Sequence, residues 1–164
     1  PGVLSTMKPF AKFLSLTLAA VLILIAVAPA AAATQQTLTF TEAEANKAYR
    51  VTNPPRRTIS NIYVDIQEGV VAISAKITFP KAAYDTVSVF EPVIRRGTLT
   101  WTLKSATVNG QPVPSDVLAV INASIFPAWR NYVQAVIARR IAGPFKVDSI
   151  TLSGDVATVT VTKP

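Results

Sequence analysis

The chain has no cysteine and no histidine, one methionine, six glycines and nine acidic side chains against sixteen basic ones. Each shortage closes a class of chemistry. Without cysteine, no disulfide staples the fold and no thiolate serves as nucleophile or metal ligand. Without histidine, Ser-His-Asp and Cys-His arrangements cannot be built, and the commonest general base and metal ligand is missing. Six glycines leave no GxGxxG fingerprint and no P-loop to cradle a phosphate. The few acids are scattered, with Asp65 and Glu68 near one turn and Asp148 and Asp155 near another. A carboxylate hydrolase would need folding to bring two of them together in a cleft, and the sequence shows no such cleft. The sequence therefore predicts no enzyme, no metal and no cofactor.

What is present starts with an apolar N-terminus. Met7 stands before Lys8 and Lys12 and reads as the start of translation. Residues 13–28, FLSLTLAAVLILIAVA, carry no charge, and Ala-x-Ala motifs end at Ala30, Ala32 and Ala33. A basic n-region, an apolar h-region and a small-residue exit mark a secretory signal peptide. The competing reading is an uncleaved anchor helix, for which the run is short against the roughly 20 residues of a membrane span. No cysteine follows it, which excludes a lipoprotein anchor. The expected organisation is a leader over 1–33 and a single domain over 34–164. That domain would be extracytoplasmic, either secreted or tethered by the uncleaved helix. About 130 residues suffice for a core without staples.

The formal net charge is +7, and removing Lys8 and Lys12 leaves 7 − 2 = +5. An exported basic domain meets anionic lipid or wall polymer rather than nucleic acid. Nucleic-acid binding would also want basic residues interleaved with aromatics, and here the Arg pairs fall on turns.

Alternation at period two predicts strands over 37–41, 59–66, 71–79, 86–94 and 99–104, with a closing hairpin of 145–152 and 156–162. Pro92 places the 86–94 strand at a sheet edge. Thr41 and Glu44 stand at capping-box spacing and open a short helix to about Arg50. Asn53, Pro54 and Pro55 end it. Asn109-Gly110 is a tight-turn signal. Ser115 is expected as N-cap of a long helix over 115–143, with Asp116 at its positive end. Pro127 should kink that helix or split it near Phe126. Its apolar stripe runs Leu118, Ile121, Ile125, Trp129, Val133, Val136, Ile137 and Ile141. The fold class is α+β, in the order β-α-β-β-β-β-α-β-β, as a curved antiparallel sheet wrapped over the long, Pro-kinked helix.

The segments TLTFTEAEAN, NIYVDIQEGVVAISAKITF, GTLTWTLKSATVNGQPVPSDVL and VDSITLSGDVATVTV resemble a small exported lipid-binding domain of the TULIP-like kind, similar to bacterial LmeA-like phospholipid-binding proteins. The resemblance covers the pattern of elements over 37–161, and 108–118 is its most specific part. It implies an acyl chain enclosed between a curled sheet and a helix, with no catalytic residues. The residues facing such a groove would be Ile73, Ile77, Phe79, Leu99, Trp101, Leu103, Ile121, Ile125, Trp129, Val133 and Ile137.

Two readings stay open for the aromatics: Trp101 and Trp129 either fill a core or line a cavity. Two also stay open for the basic pairs Arg56/Arg57, Arg95/Arg96 and Arg139/Arg140. They are solvated turns and a cation-favouring helix end, or they converge into a patch for an anionic membrane surface. The expected function is a non-enzymatic, membrane-associated lipid or apolar-ligand binding protein. The alternative is an envelope structural or interaction domain with a solid core.

Overall fold

The structure, a computed structural model, describes residues 33–163. The expected leader lies, but for Ala33, outside them. In order come β1 (Thr34–Thr41), α1 (Glu42–Ala48), β2 (Thr58–Gln67), β3 (Val70–Thr78), β4 (Ala83–Arg95), β5 (Thr98–Val108) and the two-residue β6 (Gln111–Pro112). Then follow α2 (Ser115–Val120), a π-helical turn (Ile121–Ile125), α3 (Phe126–Arg140), β7 (Lys146–Ser153) and β8 (Val156–Lys163). The class is α+β and every ladder is antiparallel.

The strands form two sheets where one was expected: β1-β8-β7 and β2-β3-β4-β5-β6. The β7–β8 hairpin forms no ladder with the five-stranded sheet, and β1 pairs with β8 from Thr34↔Lys163 to Thr41↔Val156, which ties the first strand to the last hairpin. Backbone hydrogen bonds join the two sheets where hairpin turns meet β7. Gly69 N donates to Leu152 O at 3.0 Å, and Val147 N donates to Gly97 O at 2.8 Å. Gly97 lies in the left-handed region (φ 78°) and a Cβ there would meet Lys146 Cβ at 2.9 Å. The β4–β5 turn thus needs glycine twice over, for its dihedral and for its approach to β7.

β4 is the middle strand of its sheet, so the expectation of an edge strand is corrected. Pro92 is tolerated because of register. Phe90 is the last β4 residue paired with β3, whereas Pro92 pairs only with Trp101 of β5. At Pro92 the strand has outrun one neighbour, and that stretch behaves as an edge.

Thr41 and Glu44 form the expected capping box: Glu44 N donates to Thr41 Oγ1 at 3.1 Å and Thr41 N to Glu44 Oε2 at 2.9 Å. α1 then seats itself on the outer edge of β2 through side chains at i and i+4. Asn46 accepts from Val64 N (2.7 Å) and donates to Val64 O (2.8 Å). Glu42 accepts from Ile66 N at 3.1 Å and from the Tyr63 hydroxyl. Asn53 Oδ1 accepts from Ile59 N at 2.8 Å. These three side chains do for β2 what a further strand would do, and they blunt the edge against other chains.

The second helical region departs from expectation at its start. Pro114 is the N-cap, with no side-chain cap bond, and Ser115 is already helical. Asp116 does stand in the first turn, where its Oδ1 accepts from Val117 N at 2.9 Å. Around Pro127, Phe126 N donates to Ile121 O, five residues back, and Val120, Ile121, Ile125 and Phe126 all keep right-handed helical dihedrals. The π turn widens the helix just where proline cannot donate. Leu118 is half-buried, and Val117 and Val120 take its expected place in the stripe.

From Ile121 the buried positions recur every fourth residue: Ile121, Ile125, Trp129, Val133, Ile137 and Ile141. They join one core cluster with Leu38, Phe40, Ala157 and Val159 of the three-stranded sheet and Ile66, Ile73, Ile77 and Phe90 of the five-stranded one. The helix is the part both sheets share.

Candidate functional site

The expected ligand-lining residues come together in one apolar cluster, and two of them, Leu99 and Ile137, also line a hollow of about 350 Å³ with Phe145 and Val147. Ile73, Ile77, Ile121, Ile125, Trp129 and Val133 are fully buried, Ile137, Leu99 and Trp101 nearly so, and Phe79 and Leu103 are half-buried against the same cluster. Trp129 sits at its centre. Its ring lies 5.3 Å from that of Trp101, 5.8 Å from Tyr49, 6.4 Å from Phe40 and 5.5 Å from Tyr132. Four aromatic rings thus pack around the indole. Trp129 Nε1 is buried with no hydrogen-bond partner among the described residues.

Tyr49, just past α1, pins the helix where the π turn gives way to α3. Its hydroxyl donates to Ile125 O at 2.9 Å. Burial pushes this phenol well above the ordinary tyrosine range, so it stays a neutral donor at any physiological pH.

The largest open feature described lies on the other side of α3. A groove of about 690 Å³ runs between the α1–β2 loop and the outer face of the helix. Ala123, Pro127, Ala128, Ala135 and Val136 line it from the helix, and Ala48, Pro54 and Pro55 from the loop side. Asn131, Tyr132 and Ser124 add polar edges, and Arg50 and Arg139 add positive charge, with no acidic residue in the lining. A second hollow of about 320 Å³ continues past Arg139 to Lys47, Glu44 and Arg140.

The six arginines expected at a membrane surface are differently engaged. Of them, only Arg139 lines the 690 Å³ groove. Arg140 is engaged within the fold: it donates to Thr39 O and pairs with Glu44 at 3.0 Å. Glu44's carboxyl is held below the ordinary carboxylate range, first by the Thr41 amide and then by Arg140. Arg57 lies over the Phe79 ring at 5.2 Å, a cation–π contact at the far end of the five-stranded sheet. Arg56 and Arg96 sit in left-handed turn conformations (φ 62° and 52°), and Arg95 ends β4.

Arg50, absent from the expected set, donates to Tyr49 O at 2.6 Å and Lys47 O at 2.7 Å. It thus closes the C-terminal end of α1. The sequence could not expose this groove, because it is built from positions off the apolar stripe and from a loop read only as a helix stop. Among the described residues no helix is long and apolar enough to cross a membrane. Comparison of the chain with protein-family models, with curated proteins and with solved structures finds no match.

Proposed function

We propose that the protein is a non-enzymatic, exported domain that binds lipid or another apolar ligand at an anionic membrane surface, and that it does so outside its core. The observation that carries this reading is the 690 Å³ groove, whose lining combines alanine and proline surface with Arg50 and Arg139 and holds no acid. Apolar lining with a few placed charges is the ordinary make-up of a small-molecule site. In this reading the five-stranded sheet curls over the helix and the helix bends at Pro127. Together these would present the groove side of α3 to the membrane.

A second reading, an envelope interaction domain without a small ligand, has its own support. Trp129 packs wholly buried against Trp101, and the outward face of the five-stranded sheet exposes Tyr63 and Val87. An exposed apolar face of this kind marks a contact surface when it is large enough.

Flotation of the full chain with vesicles separates the two. Phosphatidylglycerol vesicles should carry the protein to the top of the gradient, phosphatidylcholine vesicles should not, and added salt should release it, because charge attraction at a surface is screened within about 10 Å at 0.1 M. Protein that stays at the bottom with both compositions defeats the lipid reading and leaves the interaction domain.

A further inference from the structure

The two hollows share Ala48, Tyr132, Val136 and Arg139, so they form one trough along the seam between α1 and α3. Its chemistry changes along its length. Towards Pro54, Pro55 and Pro127 the lining sets apolar Ala123 and Ala128 beside the polar edges of Asn53, Ser124 and Asn131. At the junction stands Arg139, and Lys47 lines the smaller hollow beyond it. The ion pairs among the described residues are Lys76–Asp85 and Arg140–Glu44, so neither of these two cations has a carboxylate partner there. Glu44 is the one acid lining the trough, and it is turned away to the Thr41 amide and Arg140.

Resting on the lipid reading above, we infer that this trough holds a single anionic phospholipid, with its phosphate between Lys47 and Arg139 and an acyl chain along the alanine–proline floor. A phosphate oxygen accepts short, charge-assisted bonds from both a guanidinium and an ammonium group. The chain needs only apolar surface and asks for no backbone partner. An acidic peptide, the other ligand such a trough attracts, would need exposed backbone groups to pair with. The nearby strand edge is that of β2, and Asn46, Asn53 and Glu42 already occupy it.

Calorimetric titration of the full chain with dihexanoyl-phosphatidylglycerol, kept monomeric, tests the assignment against dihexanoyl-phosphatidylcholine and a glutamate-rich decapeptide. Wild type should prefer the anionic lipid. Lys47→Ala and Arg139→Ala should each weaken it about five-fold, and the double variant about 25-fold, since a charge near an anionic lipid is worth roughly 1 kcal/mol and 1.4 kcal/mol is ten-fold. Binding of the zwitterionic lipid should not change. Both side chains are exposed, so the variants should keep the wild-type circular dichroism. The double variant Arg95→Ala/Arg96→Ala should bind as wild type. Wild-type affinity in the Lys47→Ala/Arg139→Ala protein, equal affinity for both lipids, or preference for the peptide would each overturn the assignment. Failure of wild type to bind either lipid would overturn the lipid reading itself.

Discussion

Trp129→Ala should lower the stability of the domain by about 3–5 kcal/mol, the usual cost of deleting a large aromatic side chain from a packed core. The side chain is wholly buried and its ring meets four others. Against a total stability of about 5–15 kcal/mol, that loss brings the protein near unfolding at 25 °C. Trp129→Phe should cost clearly less, because the indole Nε1 it removes has no hydrogen-bond partner among the described residues. Urea unfolding of the two variants measures the contrast. A cost below about 1 kcal/mol for Trp129→Ala would mean that the ring borders open space, as in the cavity that the sequence left as one reading of Trp101 and Trp129.

Asn46→Ala should cost about 2 kcal/mol. Two hydrogen bonds to one β2 residue go at once, and Val64 N and O are left part-buried without partners. Asn46→Asp should be only partly better. Its carboxylate can still accept from Val64 N, but it faces Val64 O with no donor. Hydrogen exchange gives a local readout: the Val64 amide should lose protection in Asn46→Ala while amides in β8 keep theirs. Equal loss across both sheets would show that α1 does not guard this edge.

The parts of this fold that were legible in the sequence are those set by neighbours in the chain. Thr41 and Glu44 could be read as a capping box because both halves lie within four residues, and the structure forms it. Asn109-Gly110 announces its turn because few other pairs accept two left-handed dihedrals, here 50° and 77°. Alternation located the strands because side chains on a strand change face at every residue. Pairing between distant strands leaves no such local mark. Nothing in TLTFT tells it to join VATVTV at the other end of the domain, or keeps that closing hairpin off the ladder of the five-stranded sheet. Pro92 misled for the same reason: its strand is central, and only the register with β3 shows that its own end of the strand is free.

The candidate site was less legible than the fold. The apolar stripe of the helix was read nearly as it stands, but an apolar stripe is the same whether it seals a core or lines a pocket. The rings around Trp129 come from β1, β5, the end of α1 and α3 itself, and no local pattern announces that they meet. The trough was not legible because two of its cations, Lys47 and Arg50, stand alone in the sequence at the end of α1, far from the Arg139/Arg140 pair that the fold brings beside them. One member of each such pair can be occupied elsewhere, as Arg140 is by Thr39 and Glu44.

The central claim is that any lipid is held outside the core, along the seam of α1 and α3. Photolabelling tests it directly, using phosphatidylglycerol with a diazirine on its acyl chain and peptide mapping by mass spectrometry. Labels on Pro54, Pro55, Ala123, Pro127, Ala128 or Ala135 are the predicted result. Labels on Ile73, Ile77, Trp101, Ile125 or Val133 would place the chain between sheet and helix and contradict the account.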